Sequence, residues 1–204
     1  MDRSQQMSFK RLWSRGPDGW TAIDCQGGMF GVSVKSPRTF DERAVVEKHA
    51  SMPGVNLDQA NLVQMGKLMH GHGFPLVHLL GRKEYQMFLV DKAAVKAEEM
   101  ESSLRWSLTP LLDYPSSEAN LAWMEIPQTP SANSLRTPQL YVVAARRELV
   151  NQRTDLFESA HLTLRAMEIR ETGQRNISAA IKAQDAAVCL IYAEPNGVQL
   201  TVTY

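Results

Sequence analysis

Three histidines, His70, His72 and His78, are the closest that the sequence comes to a metal-binding group. His70 and His72 flank a glycine at the predicted end of a helix, where the negative end of the helix dipole favours imidazole side chains. A zinc site also needs a ligand set with a recognisable spacing, and no such spacing occurs around these residues. The sequence therefore predicts no metal site.

Paired carboxylates of the kind used in acid–base catalysis occur at Glu98, Glu99 and Glu101. At this spacing on a helix, and with Lys92 and Lys96 just before them, we expect a solvated charged face instead. The sequence has no Gly-x-Ser-x-Gly elbow, no Walker loop and no Cys–His pair at a recognisable spacing. Residue types and spacing alone indicate no catalytic site.

The composition is that of an ordinary globular protein. Of the 204 residues, 44% are hydrophobic and 22% are charged, which suits one large domain or two small lobes. The formal net charge is zero, so electrostatics give no reason to expect a nucleic-acid partner. No apolar run approaches the roughly 20 residues of a membrane span, and no signal-peptide pattern opens the sequence. We expect a soluble cytoplasmic protein.

The two cysteines, Cys25 and Cys189, each lie in an apolar run typical of a strand. Two cysteines are too few for a disulfide framework, and we expect buried free thiols. A disulfide between them stays open as the alternative.

Strands and helices alternate along the sequence. Turn residues at 26–28 and 195–197 predict two hairpins, over 20–35 and over 187–204. The apolar periodicity between them predicts helices at 41–50, 56–69, 94–108, 148–160 and 171–182, and strands at 76–80, 85–90, 120–126, 140–145 and 162–169. Mixed sheets covered by helices are the natural packing solution for such a chain.

Four segments, in the same order, resemble motifs of the MshI and PilM pilus-assembly proteins. They are the strand residues 85–87, the helix-and-exit segment 101–115, the strand-to-helix segment 141–150, and the segment 168–177 with its acidic strand end. The two hairpins, each opening a lobe, are similar to the duplicated core of the actin-like ATPases. The sequence thus resembles the MshI/PilM family, and the cytoplasmic domain of the secretion protein GspL is a related alternative.

This resemblance implies an actin-like, ribonuclease H-like α/β fold with mixed sheets. We expect a flexible tail over 1–18, a first actin-like lobe over 19–73, an inserted small subdomain of the PilM and FtsA kind over 74–160, and the start of an incomplete second lobe over 161–204. The last strand would then expose an unpaired edge, which favours a homodimer.

The same resemblance implies a non-catalytic scaffold in the assembly of type IV pili, of the mannose-sensitive haemagglutinin (MSHA) kind. Such a scaffold would lie under the inner membrane, bind the cytoplasmic tail of a PilN-like or MshJ-like membrane protein, and connect it to the hexameric assembly ATPase. The tail would enter a groove between the small subdomain and the first lobe, through sheet-edge pairing and apolar pockets. Tyr85, Trp106, Leu112 and Tyr114 are the candidate contacts.

Two surface assignments have simpler alternatives. Trp106 could pack its helix onto the sheet, and we favour that interpretation because aromatic residues dominate cores. Arg146 and Arg147 could contact an acidic partner or lie in the first turn of an exposed helix.

Actin-like ATPases hold nucleotide phosphates with two hairpin turns, and the resemblance places the first of them at residues 24–29. Asp24, Gly27 and Gly28 remain, but Gln26 stands where a glycine is expected and the Ser and Thr hydroxyls are missing. We therefore expect a vestigial phosphate turn.

The second turn departs further from the pattern. Tyr192 stands in place of the aspartate, Glu194 adds negative charge, and Pro195 has no backbone N–H to donate. We expect no bound cofactor and no ATP hydrolysis. A switch that still binds ATP and Mg²⁺ stays open as the alternative.

Overall fold

The computed structural model describes residues 19–36, 44–69, 75–126, 137–181, 187–194 and 197–203. Within these ranges the chain forms ten strands in three sheets, four α-helices and two short 3-10 helices. His70, His72 and the tail predicted over 1–18 lie outside the described residues.

The largest sheet has five strands in the order β3-β2-β1-β4-β8. They are β1 (Gly19–Asp24), β2 (Gly28–Lys35), β3 (Val45–Pro53), β4 (Leu76–Leu79) and β8 (Leu164–Glu168). The first three form an antiparallel meander, whereas β4 and β8 run parallel to β1. The mixed sheet and the first hairpin confirm the predictions for this part of the chain.

Strand β3 replaces the helix that the sequence predicts over 41–50. Val45 and Val46 are β-branched and suit a strand, and β3 pairs with β2 from Val45 opposite Lys35 to Pro53 opposite Gly28. The helix prediction was wrong because pairing with a neighbouring strand, which the local apolar pattern does not reveal, satisfies the backbone groups of this segment.

One face of the large sheet carries the main core, covered by α1 (Gln59–Met69) and α3 (Arg147–Ser159). Helix α1 begins where the Asp58 carboxylate accepts a hydrogen bond from the Asn61 N–H at 2.8 Å, as an N-cap does. The buried residues of this cluster are Ile23, Met29, Met52, Leu62, Met65, Met69, Leu76, Phe157 and Ala160.

The second sheet has three antiparallel strands in the order β5-β7-β6. They are β5 (Tyr85–Asp91), β6 (Ala119–Glu125) and β7 (Gln139–Arg146). Helix α2 (Met100–Leu108) covers one face, and its buried residues follow the predicted helical spacing: Met100, Leu104 and Leu108. Glu98 and Glu99 are exposed just before this helix and Glu101 pairs with Arg105, which confirms the solvated charged face.

The predicted domain boundaries at residues 74 and 161 do not coincide with the points where the chain passes from one sheet to another. Strand β4 lies after residue 74 and β8 after residue 161, yet both belong to the five-stranded sheet. The chain passes from the large sheet to the three-stranded sheet between the end of β4 at Leu79 and the start of β5 at Tyr85. The three-stranded sheet is inserted between β4 and β8.

The third sheet is the predicted hairpin of β9 (Val188–Glu194) and β10 (Gly197–Thr203). One side faces α4 (Arg170–Ile181), where Thr201 donates a hydrogen bond to Gln174. The register places six exposed apolar residues on the other side: Cys189, Ile191, Ala193, Val198, Leu200 and Val202.

Both cysteines are free. The absence of a disulfide between Cys25 and Cys189 agrees with the favoured prediction. Cys189 is exposed rather than buried, because it lies on the uncovered side of the hairpin.

His78 is a core residue, 1% exposed, in the middle of the large sheet. Its Nδ1–H donates to the Ile23 carbonyl oxygen at 3.1 Å, and its ring lies 5.0 Å from that of Phe157. Burial lowers the pKa of His78 because the protonated ring would lose its solvation. His78 is therefore a structural residue of the core.

A pH dependence of stability follows from His78. Below about pH 6.5 the unfolded chain binds a proton that the folded protein resists, so the free energy of unfolding should fall as pH drops from 6.5 toward the lower folded-state pKa. His78→Gln should flatten this part of the curve in denaturant titrations between pH 7.5 and 5. His49→Gln, at an exposed position in β3, is the control. An unchanged slope in His78→Gln would rule out this origin.

Candidate functional site

The turn between β1 and β2 is the predicted phosphate turn, and its glycines have a packing role. Gly27 and Gly28 have φ of +70° and +142°. A Cβ on Gly28 would lie 2.8 Å from the Gly54 nitrogen and from the Pro53 Cα. The Gly27 carbonyl oxygen accepts a hydrogen bond from the Gly54 N–H at 3.2 Å. The two glycines thus let this turn approach the end of β3.

Asp24, at the end of β1, already has a cationic partner. The Arg170 Nη2 lies 3.2 Å from the Asp24 Oδ2, and the two side chains are only 11% and 25% exposed. Mg²⁺ sites need carboxylates that are open to the metal, with further oxygen ligands around it. A guanidinium in contact with the carboxylate, together with the missing hydroxyls, does not fit a nucleotide-bound metal at this turn.

Leu112 and Tyr114, two of the predicted partner contacts, lie in one cluster on the three-stranded sheet. Tyr114 is 9% exposed, and it packs with Ala119, Ala144 and the partly buried Leu112. The Arg146 guanidinium covers the Tyr114 ring at 4.1 Å from its centroid. Leu112 and Tyr114 therefore pack beneath the surface at the end of β7 and are not exposed contact residues.

Tyr85 and Trp106 lie apart from this cluster. The Tyr85 hydroxyl donates to the Glu171 Oε2 at 2.6 Å, and the residue is 9% exposed. Burial and this hydrogen bond raise the pKa of Tyr85 above its ordinary value. Tyr85 is therefore an internal link between β5 and α4, not a surface contact.

Trp106 is 82% exposed, so the prediction that it packs α2 onto the sheet was wrong. The buried residues Met100, Leu104 and Leu108 define the inner face of the helix, and Trp106 projects from the opposite side. Trp123, by contrast, packs partly buried against the α2 cluster. Trp106 is thus the predicted contact that remains available to a partner.

An open groove of about 600 Å³ runs beside α3. Its lining residues all lie within the predicted small subdomain, not between that subdomain and the first lobe as the sequence predicts. It is bounded by the 3-10 helix before β6 (Ser116–Glu118), the end of β7 and the outer face of α3. Its lining residues are Ser117, Glu118, Arg146, Arg147, Glu148, Asn151, Gln152 and Asp155. The adjacent Arg146 and Arg147, noted in the sequence as a contact for an acidic partner, were its one local signal.

Arg146 makes two long ion pairs at the groove, and Arg147 makes a hydrogen bond to the backbone. The Arg146 guanidinium lies 3.8 Å from the Asp113 Oδ1 and 3.9 Å from the Glu118 Oε2. The Arg147 Nη2 donates to the Ser117 carbonyl oxygen at 3.0 Å. Exposed ion pairs at such separations contribute little to stability, so Arg146 can exchange these carboxylates for those of a ligand while its guanidinium stays over the Tyr114 ring.

Comparison with known proteins identifies the fold. No protein-family model matches the sequence, and no curated protein does. The structure matches a chain of a PilM–PilN type IV pilus biogenesis complex with a TM-score of 0.70 and 17% identity over 89% of this chain. It also matches the cytoplasmic domain of EpsL, an inner-membrane component of the type II secretion system of Vibrio cholerae, with a TM-score of 0.58 and 10% identity over 91% of this chain.

The fold is actin-like. The chain spans 57% of the first of these neighbours and 71% of the second. At these identities the likeness establishes the fold alone. Among the described residues, no helix has the length and apolar character needed to cross a membrane.

In this actin-like fold, the second predicted phosphate turn lies between β9 and β10. Tyr192 is described, and the Arg170 guanidinium lies 5.4 Å from the centroid of its ring. Pro195, Asn196 and the side chain of Glu194 lie outside the described residues. Tyr192 therefore contacts the same arginine that pairs with Asp24.

Cys25, next to Asp24, offers no nucleophile at this turn. Burial, reinforced by the negative charge of Asp24, raises the pKa of the Cys25 thiol to about 12. The thiol is therefore protonated at neutral pH, and a protonated thiol is a poor nucleophile and a poor metal ligand.

Proposed function

We propose that this chain is a non-catalytic scaffold of an inner-membrane platform that assembles type IV pili or serves a type II secretion system. Its role would be to bind the cytoplasmic tail of a PilN-like membrane protein. The observation that carries the proposal is the match to a chain from a PilM–PilN complex over 89% of the present chain. The protein would then lie in the cytoplasm, at the inner membrane.

The finer assignment within this proposal is to the MSHA pilus. It rests on the motifs at 85–87, 101–115, 141–150 and 168–177, which resemble MshI. The membrane partner would then be MshJ-like, and the far side of the scaffold would meet the hexameric assembly ATPase. The EpsL likeness supports the GspL-like secretion domain as the second candidate.

The non-catalytic part of the proposal rests on the β1–β2 turn. The Asp24 carboxylate is paired with Arg170, and Gly28 lies against the backbone of Pro53 and Gly54. The turn has no hydroxyl to contact a phosphate or its metal. An ATP-binding switch is the alternative, and its prediction is a rise in melting temperature with Mg-ATP.

The groove beside α3 is our proposed binding site for the partner tail. Strand β6 is an edge strand of the three-stranded sheet, and the 3-10 helix just before it lines the groove. An extended tail could pair with the β6 edge beyond Ala119, whose carbonyl oxygen already accepts a hydrogen bond from Arg105 at 2.8 Å. In the groove, Arg146 and Arg147 would contact acidic side chains of the tail, and Glu118, Glu148 and Asp155 would contact basic ones. Trp106 lies outside the groove lining and would add an apolar contact on the side of α2.

Asn151→Arg tests this site, because a long charged side chain would fill the groove from the exposed face of α3. We expect the affinity for a synthetic PilN-like tail peptide to fall at least tenfold, which corresponds to about 1.4 kcal/mol. Gln64→Arg, the same kind of change at an exposed position of α1, should leave the affinity unchanged. Equal affinities for both variants and the parent in calorimetric titration would place the peptide elsewhere.

Self-association stays a prediction alongside this function. The hairpin presents Ile191, Leu200 and four further apolar residues on one exposed side. Among the described residues, β9 and β10 pair only with each other, so both outer edges are free. Sedimentation equilibrium at high protein concentration would check for a homodimer.

A further inference from the structure

The first two residues of α4, Arg170 and Glu171, contact all three sheets. Arg170 pairs with Asp24 in the five-stranded sheet and lies over Tyr192 in the hairpin. Glu171 accepts the hydrogen bond of the Tyr85 hydroxyl from the three-stranded sheet. One helical turn thus collects contacts from strands that are far apart in the sequence.

Arg170 and Tyr85 are shielded from solvent, whereas Tyr192 is 46% exposed. Arg170 retains 11% of its side-chain exposure and Tyr85 is 9% exposed. An ion pair with little exposure is screened less by salt than a surface pair, and removal of one partner leaves the other charge poorly solvated. The arginine therefore holds its position more firmly than a surface arginine does.

The rest of α4 packs against the hairpin and is hydrogen-bonded to β10. Thr201 donates to Gln174, and the Ser178 and Thr203 hydroxyls are hydrogen-bonded to each other. At its other end, α4 follows directly on β8, whose Glu168 carbonyl oxygen accepts the Leu80 N–H at 2.9 Å. The hairpin and α4 therefore form a unit, and this unit meets the β1–β2 turn at Arg170.

We propose that Arg170 is a built-in clamp between the β1–β2 turn and the β9–β10 hairpin. Its guanidinium joins the Asp24 carboxylate to the face of the Tyr192 ring, two groups that attract a cation by charge and by ring quadrupole. The clamp fixes the hairpin relative to the large sheet without any ligand. It is independent of the identity of the membrane partner, so a failure of tail binding would not affect it.

A double-mutant cycle on Asp24 and Tyr192 tests the clamp, with amide hydrogen exchange in β9–β10 as the readout. Asp24 lies in a different sheet from the hairpin. Asp24→Asn should nevertheless raise the amide exchange rates of β9–β10 about tenfold, because Arg170 loses its ion-pair partner. Tyr192→Leu should have a similar effect. The double variant should exceed either single variant by less than threefold, since both changes release the same arginine.

The same cycle in an Arg170→Ala background separates the clamp from general destabilisation. There the Asp24 and Tyr192 changes should no longer be coupled. Arg175→Ala, at an exposed position of the same helix, is the control and should leave exchange in β9–β10 unchanged. If Arg170→Ala does not fold, Arg170→Gln, which keeps a polar side chain and loses the positive charge, takes its place. Additive effects of the Asp24 and Tyr192 changes, or unchanged β9–β10 exchange in Asp24→Asn, would overturn the proposal.

Discussion

Gly28→Ala is expected to lower the free energy of unfolding by about 3–5 kcal/mol, or to prevent folding. The residue has φ of +142°, a conformation that an alanine adopts only with strain. Its added Cβ would also lie 2.8 Å from the Gly54 nitrogen and the Pro53 Cα and 2.9 Å from the Met52 carbonyl oxygen. All three are backbone atoms, so the β3 end would have to shift. Urea titration followed by circular dichroism measures the loss.

Gly27→Ala is the matched control for this variant. Gly27 also has a positive φ, of +70°, but a Cβ there would meet no atom within 4 Å. We expect a loss of only about 1 kcal/mol, from the left-handed conformation alone. Equal losses at the two positions would contradict the packing role that we assign to Gly28. The comparison matters for function because a glycine kept for packing is not evidence of a phosphate site.

Phe157→Ala should lower the free energy of unfolding by about 3–5 kcal/mol. Phe157 is fully buried in the core between α3 and the large sheet, where its ring lies against that of His78. Removal of the ring leaves a cavity that the two flanking elements cannot fully close. Phe157 anchors the helix whose outer face lines the groove, so the variant should also weaken binding of the tail peptide.

Phe30→Ala makes the same chemical change at a position that is 41% exposed. We expect it to cost less than about 1.5 kcal/mol, since less apolar surface is transferred to water. Thermal and urea unfolding of the two variants, compared with the parent, test the assignment. A cost for Phe157→Ala no larger than that for Phe30→Ala would mean that α3 does not depend on this core contact.

Much of the fold follows from local patterns in the sequence. Turn chemistry at Gly27-Gly28 predicted the first hairpin, and apolar spacing predicted α1, α3 and α4 to within three residues. Helix α2 begins six residues later than predicted, at Met100. The pattern of Met100, Leu104 and Leu108 also contained the information that Trp106 faces outward, because position 106 lies on the opposite side of the helix. The preference of aromatic residues for cores outweighed this signal in our prediction.

The predictions from the sequence failed where the structure depends on contacts between distant segments. Strand β3 forms because β2 offers an edge, and nothing within residues 41–50 encodes that neighbour. The Arg170–Asp24 pair joins residues 146 positions apart, so spacing along the sequence could not reveal that the phosphate-turn carboxylate has a partner. The groove arises from three elements that meet only in the folded chain. Local sequence therefore predicted the elements, but not the site that they build.

The central claim is that this chain binds a partner tail and not a nucleotide. Calorimetric titration of the protein with the cytoplasmic tail peptide of a PilN-like protein, and separately with Mg-ATP, tests it most directly. We expect heat of binding with the peptide, reduced in Asn151→Arg, and none with Mg-ATP. Binding of Mg-ATP without binding of the peptide would contradict the proposal and identify the protein as a nucleotide-dependent switch.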